Sequence, residues 1–293
     1  MQGLFDQVQS KVRKKAIRPK LYVHDWSEGQ CCRVCPRTAS VIFADPPYNF
    51  GYKYADDPTE DRMDQDDYHF LMCQVVRHLS LLLKPGGWLF WVCPAGHAKE
   101  VRTAIEIHGR LRLYGESERS EGAPIIWYEP FAQYQDKRLT EDYRLIFLAR
   151  KVHMDEGQEE SIYTKDHREW KYGPWPDPST FNGDSIRIPS ARQMCGDKRA
   201  NPKGRVPGMV WQFRRLQGTS KDRMPWHPCQ LPPELLDRVV LGFSNPGDLV
   251  VDPFVGSGST MRACMRHGRR FVGFDRSPTY IRKLRRSLGH EGA

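Results

Sequence analysis

No apolar run in this 293-residue chain is long enough to span a bilayer, and its first residues carry no apolar signal region. The expectation is a soluble, cytoplasmic protein with no membrane partner. Eight cysteines are scattered without the spacing of a disulfide framework. Cys31, Cys32 and Cys35 form the one cluster, and no second CxxC follows to complete a zinc site, so no metal is expected and reduced thiols are the reading. Acid is in deficit: 36 Asp and Glu stand against 45 Lys and Arg, a formal net charge of +9. That balance suits a polyanionic partner. The length admits one large domain, or one domain with a sizeable insertion.

What is present is organised around residues 40–50. Val41 to Ala44 is a short apolar run that reads as a buried strand. Asp45, Pro46, Pro47 and Tyr48 follow it. The prolines have fixed φ and no N–H, so the strand must stop there. The product is a stiff loop with a carboxylate at its root and a ring at its tip. In a parallel α/β sheet, ligands bind at the C-terminal ends of strands. A planar base with an amino group fits such a loop: the ring stacks, and the carboxylate and nearby carbonyls accept the amine hydrogens.

A second stretch lies far along the chain. Leu249 to Val251 reads as a strand, followed by Asp252, Pro253 and Phe254. Gly256, Ser257 and Gly258 lead into a helix from Ser259 to His267. Glycine lets backbone approach a ligand, and a helix N-terminus favours negative groups. The next strand ends in Asp275, 19 residues beyond Gly256, an acid placed for ribose hydroxyls. That spacing serves NAD as well as a methyl donor. Two features favour the methyl donor. Met261 stands where a third glycine would, and Asp252 before the glycines suits a cationic sulfonium rather than a pyrophosphate.

Asp45-Pro46-Pro47-Tyr48 resembles the catalytic motif of DNA amino-methyltransferases, and Leu249 to Thr260 resembles their S-adenosylmethionine motif. Catalytic motif first and cofactor motif last is the order of the beta class, and the resemblance runs roughly from Leu21 to Leu288. It implies a Rossmann-like α/β fold, a mainly parallel central sheet flanked by helices, with an irregular inserted target-recognition region. It implies S-adenosyl-L-methionine as cofactor and double-stranded DNA as partner. By the resemblance, Asp45 and the Pro46 carbonyl accept the amine hydrogens, Pro47 stiffens the loop and Tyr48 stacks on the base. The carried-over cofactor residues are Asp25, His227, Asp252, Pro253, Phe254, Gly256, Ser257, Gly258, Thr260 and Asp275. Ser259 stands where the family often has Thr, and Asp275 where it often has Glu. Asp at position 45 favours the exocyclic N6 amine of adenine in a flipped base over the N4 amine of cytosine. The family also suggests a homodimer, and a restriction endonuclease, if there is one, as a separate chain. The competing readings are a cytosine-N4 enzyme, an RNA methyltransferase, an NAD oxidoreductase, and a non-catalytic DNA-binding protein with a relic cofactor site.

Four divisions follow: a basic N-terminal arm (1–20), a catalytic half (21–150), a target-recognition insertion (151–223) and a cofactor-binding half (224–293). Leu21 to Val23 reads as an edge strand, and Asp25 after it is equally a turn acid. The acidic run 56–67 reads as a mobile solvated loop, with Asp66 or Asp67 capping a helix from about Tyr68 to Leu83. Phe70, Leu71, Val75, Leu79, Leu82 and Leu83 are its expected core face. Lys84 to Gly87 ends it, and strands are expected at 88–92, 110–115, 125–128 and 143–149, with a helix over 95–108. Residues 151–208 are polar and rich in Pro and Gly. From Ile186 to Arg223 ten basic residues face two acids. They are Arg187, Arg192, Lys198, Arg199, Lys203, Arg205, Arg214, Arg215, Lys221 and Arg223, a pattern that favours DNA contact over a solvated loop. Ser190, Gln193, Asn201 and Trp211 lie among them, and Gln or Asn can read adenine edges. His227 on its own reads as a capping residue before a helix over 233–243. A basic terminal helix, 278–288, closes the chain.

Overall fold

The computed structural model describes residues 18–29, 31–57, 61–117, 120–130, 141–151, 181–216 and 220–290. The first seventeen residues of the expected N-terminal arm, and 152–180 of the insertion, lie outside them.

The apolar runs become the strands of one sheet: β1 (Lys20–Val23), β2 (Ala39–Ala44), β3 (Leu83–Cys93), β4 (Leu111–Leu113), β5 (Ile125–Tyr128), β6 (Tyr143–Lys151), β7 (Val210–Gln212), β8 (Leu249–Asp252) and β9 (Arg270–Asp275). Their order is β1-β9-β8-β2-β3-β6-β5-β7, with β4 beside β6. The run β1-β9-β8-β2-β3 is parallel throughout. β6 is antiparallel to β3, β4 and β5, and β7 adds parallel to β5.

Helices cover both faces, which is why the central strands read as continuous apolar runs rather than alternating ones. Ile42, Leu89 and Val251 face α1 (Gln65–Leu82) through Val75, Val76 and Leu79. Val41, Phe43, Phe90 and Val250 face the other way, onto Leu235, Leu236, Val239 and Val240 of α2 (Pro233–Phe243). On that side α3 (Ser259–Arg266) contributes Met261 and Ala263, and α4 (Pro278–His290) contributes Ile281 and Leu284. The segment 95–108 is helical as expected, passing from a 3-10 turn through an α turn to a π turn. Among the described residues no helix is long and apolar enough to cross a membrane.

One pairing makes the site. β8 lies directly beside β2, with Val250 opposite Val41 and Val251 opposite Ile42. Asp45 and Asp252, far apart in sequence, therefore leave the sheet at neighbouring C-terminal strand ends. From this point the chain order diverges, β2 leading to β3 on one side and β8 to β9 on the other. That is a topological switch point, where a crevice opens.

Several expectations need correction. The N-cap of α1 is Asp64, whose side chain accepts from the Asp66 N–H, so the helix starts three residues early. Asp66 and Asp67 sit in its first turn, where carboxylates favour the helix dipole. Phe70 is 66% exposed rather than core, because it lies off the stripe of Tyr68, Met72, Val75 and Leu79. Leu83 opens β3 instead of closing α1, and the register slips between the Ala39–Leu83 and Val41–Trp88 pairs. The acidic stretch, of which 58–60 lie outside the described residues, is not solvated throughout, although Asp56, Asp64, Asp66 and Asp67 are exposed. Asp56 accepts from the Ser277 hydroxyl at 2.7 Å and the Thr279 N–H at 3.0 Å, Asp57 pairs with Arg276, and Asp61 is buried. Asp56 and Asp57 find their partners in the cofactor half, which local composition could not reveal. Finally, the insertion returns to the sheet as β7. Trp211 within it is buried, with the Arg238 guanidinium 5.1 Å from the ring centroid, so it packs rather than reads bases.

Candidate active site

Proline stops β2, and the loop that follows is held from outside. The Tyr48 hydroxyl donates to Asp45 Oδ1 at 2.5 Å. The Tyr68 hydroxyl donates to the Pro47 carbonyl at 2.8 Å, and His97 Nε2 lies 3.0 Å from the Tyr48 carbonyl, which requires the Nε2–H tautomer. Asn49 sits at φ +62°, a left-handed conformation that Asn tolerates better than most residues. Its amide clasps Met63, accepting from the N–H at 2.6 Å and donating to the carbonyl at 3.0 Å. Asp61 closes the arrangement by accepting the N–H groups of Asn49 (2.9 Å), Phe50 (3.0 Å) and Tyr52 (3.3 Å). The sequence reading missed Asp61. Nothing in an acidic run says which carboxylate folds inward.

The strand ends open onto a cavity of about 260 Å³. Asp25, Asp45, Asp61, Glu129, Asp252 and Asp275 line it, against Arg144, Arg215 and Arg276. Burial pushes Asp45 up to about 6, opposed by the Tyr48 hydrogen bond and by Arg144. It pushes Asp252 up to about 7, opposed by the Thr260 hydroxyl and the Phe254 N–H. Asp275 rises to about 6 for the same reason, opposed by the N–H groups of Ser277 (2.8 Å) and Gly256 (2.9 Å). Burial drives His227 down to about 4, so its ring is neutral at pH 7 and adds no positive charge. Carboxylates held in a desolvated cleft gain most from a cation that enters it.

The glycine loop supplies the floor. Gly256 has φ +45°, and a Cβ there would stand 2.6 Å from His227 Nε2. Gly258, at φ +81°, is the N-cap of α3. The Trp26 indole donates to the Pro253 carbonyl at 3.0 Å and ties the segment after β1 to this loop. Asp25 caps the short turn that carries Trp26, accepting from the Ser27 N–H at 2.9 Å, and also lines the cavity. The turn-acid reading of Asp25 is the one its hydrogen bond shows.

The structure brings Asp25, Asp45, Pro46, Pro47, Tyr48, His227, Asp252, Pro253, Phe254, Gly256, Ser257, Thr260 and Asp275 to one cavity wall. Gly258 shapes the turn without lining it. Trp26, Tyr54, Glu129, Arg144 and Tyr280 line it too and were not anticipated. Of the ten basic residues, Arg192, Lys198, Arg199, Lys203, Arg205, Arg214, Arg215 and Lys221 are exposed. Arg187 is engaged by Asp184 and the Gly204 carbonyl, and Arg223 by Gln230 and the Pro228 carbonyl. Arg199 pairs with Asp197. Arg215 reaches the cavity, where it pairs with buried Glu129 at 3.2 Å. Gln193 closes a capping box with Ser190, and Asn201 accepts from the Lys203 N–H, so both amides serve the insertion itself.

A family model described as a DNA methylase, of the N6/N4 type, matches residues 39–286. The chain belongs to the N6/N4 DNA methylase family. Members are S-adenosylmethionine-dependent. The DNA adenine methyltransferase YhdJ of Escherichia coli is 28% identical over 278 residues, spanning 92% of this chain and 82% of that one. The type II methyltransferase M.HpaI of Haemophilus parainfluenzae is 29% identical over 251 residues, spanning 86% and 68%. Among solved structures, the M1.HpyAVI complex with S-adenosylmethionine superposes with a TM-score of 0.55 at 18% identity, covering 92% of this chain and 99% of that one. The cytosine-N4-specific PvuII DNA methyltransferase gives 0.58 at 14% identity, covering 92% and 87%. These likenesses establish the Rossmann-like methylase fold. The donor set of this chain fits the family's cofactor: the buried carboxylates suit a cation, and Gly256 leaves open the space a side chain would fill.

Proposed function

We propose that this methylase transfers a methyl group to the N6 amine of adenine in double-stranded DNA, with the target base flipped into the cavity. The observation that carries the reading is the adjacency of β2 and β8, which opens the Asp45 loop and the Asp252 loop onto one cavity. S-adenosylmethionine, when bound, supplies an electrophilic methyl group on a sulfonium. Asp252, Asp275 and the Gly256 loop would hold it, with Asp25 toward its adenine and His227 toward its methionine part.

The lone pair of the adenine amine is delocalised into the ring, so the amine is a poor nucleophile. Oδ2 of Asp45 and the Pro46 carbonyl would accept its two hydrogens and favour a pyramidal nitrogen. Tyr48, its hydroxyl tied to Asp45, presents a ring of fixed orientation for stacking. The residues orient and accept protons, and no nucleophilic side chain is needed. Flipping costs about a few kcal/mol. The exposed Arg192, Lys198, Lys203 and Lys221 would offset it through phosphate contacts.

The test is transfer of label from S-adenosylmethionine to unmethylated duplex DNA, followed by nucleoside analysis, with wild type beside Asp45→Ala. Labelled N6-methyladenine, lost in the variant, is the expected result. Label in N4-methylcytosine would overturn the assignment of the base. Cofactor binding without label on DNA would turn attention to RNA.

A further inference from the structure

The cavity holds a cation that the proposed transfer has not used. Arg144 is the second residue of β6, where it pairs in register with Trp127 of β5. It is partly buried and lines the cavity with Asp45 and Tyr48. Among the described residues no carboxylate pairs with it. Its Nη1 donates to the Tyr143 carbonyl at 2.9 Å, and among the described residues no other hydrogen bond engages the guanidinium. The acid nearest in kind, Glu129, also lines the cavity, but Arg215 reaches in from the insertion and takes it at 3.2 Å. Arg144 is also close enough to Asp45 for its charge to oppose the effect of burial there.

An exocyclic amine of this class belongs to an amidine: a hydrogen-bond donor beside a ring nitrogen that accepts. Adenine presents N6–H beside N1, and cytosine N4–H beside N3. Guanine and thymine present the reverse, a carbonyl acceptor beside a ring N–H donor. An acceptor from Asp45 next to a donor from Arg144 matches the first pattern and opposes the second.

We propose that Arg144 is the specificity residue that reads the ring nitrogen beside the target amine, so that Asp45 and Arg144 together select amino bases over keto bases. The inference rests on the methyltransferase reading above. It predicts that a substrate lacking the ring acceptor loses what the Arg144 variant loses.

The experiment uses the duplex site mapped from the wild-type product, with the target either adenine or 1-deazaadenine, which keeps the amine and replaces N1 by C–H. If the label falls on cytosine, 3-deazacytosine takes its place. Wild type should lose about ten- to hundredfold in kcat/KM on the analogue, the scale of one good base-edge contact. Arg144→Met should lose a similar factor on the natural duplex and little more on the analogue, with cofactor affinity unchanged. Equal losses that simply multiply, or a wild type indifferent to the analogue, would overturn the proposal, and the second measurement stands even if the variant does not fold. A wild type that labels no DNA overturns the DNA-methylation reading and this one with it. A wild type that labels DNA beside an unimpaired Arg144→Met overturns this one alone.

Discussion

The Tyr48 hydroxyl donates to Asp45 Oδ1 across 2.5 Å, so the ring expected to stack and the carboxylate expected to accept form one unit. The bond opposes the rise that burial imposes on Asp45, which stands at about 6. Below that value the carboxylate is protonated and loses an acceptor site. The rate constant for transfer should therefore fall as pH drops through about 6. Tyr48→Phe keeps the ring and removes the hydroxyl, and should move this acid limb to higher pH. Tyr48→Ala should also lose stacking, about 1–3 kcal/mol per base, or about five- to a hundredfold. A pH profile of single-turnover transfer checks both. An acid limb that stays put in Tyr48→Phe would count against the coupling.

Asp61 holds the loop that carries Tyr48, accepting three backbone N–H groups while only 4% exposed. Asp61→Ala strands those donors. A buried donor left unsatisfied costs about 1–3 kcal/mol, and water admitted by the smaller side chain would recover part of it. Expected outcomes are a clear drop in melting temperature and a larger drop in kcat than in cofactor affinity. Asp61→Asn keeps one acceptor oxygen and should fall between. Phe70→Ser, on the exposed face of α1, serves as the comparison and should leave both nearly unchanged. Thermal unfolding beside methyl transfer decides it.

Gly256→Ala should damage cofactor binding before it damages the fold. The backbone there is left-handed, and the new Cβ would meet His227 Nε2 at 2.6 Å. One of the two must move, and both line the cavity. The expected result is about a tenfold or greater rise in the cofactor Kd, since strain of this kind costs about 1–3 kcal/mol. Gly256→Ala combined with His227→Ala removes the steric partner and should regain part of the loss, leaving the share due to φ. Calorimetric titration of both variants gives the split, and a double variant no better than the single would assign the whole effect to the backbone.

These arguments use residues of two kinds. The strand ends were legible because their signals are local: an apolar run closed by Asp45 and two prolines, and another closed by Asp252 and a glycine turn. Helix α2 could be bounded to the residue, since Pro233 opens it and its apolar stripe is regular. Asp61, Arg144 and Glu129 were not legible. Glu129 acquires its role from a partner far along the chain, Arg215, as Asp56 does from Ser277, whereas Asp61 takes its role from the nearby turn at Asn49, Phe50 and Tyr52. Within the acidic run 56–67, Asp56 and Asp57 were misjudged for the same reason as Glu129. Charge density predicts solvation only when nothing distant neutralises it, and here Arg276 and the start of α4 do so.

The buried carboxylates make a last prediction, about pH and the cofactor. Asp45 and Asp275 stand at about 6 and Asp252 at about 7, all above the ordinary 3.8. The folded chain therefore holds more protons than the unfolded one between about 4 and about 7. Stability contributed by these groups must fall as pH rises through that window, because each carboxylate ionises against its desolvation. A sulfonium with an α-amino group reverses the balance, since it favours the charged carboxylates. The rise in melting temperature produced by S-adenosylmethionine should then grow between about pH 5 and pH 8. Binding near pH 6.5 should release protons, visible as a buffer-dependent heat in calorimetry. S-adenosylhomocysteine has the same adenosine and α-amino group without the sulfonium charge, and its increment should grow less. Asp252→Asn, which removes the carboxylate with the highest value, should flatten the curve further. An increment independent of pH, equal for the two ligands, would mean that the carboxylates hold the loop together and contribute nothing to recognising the cation.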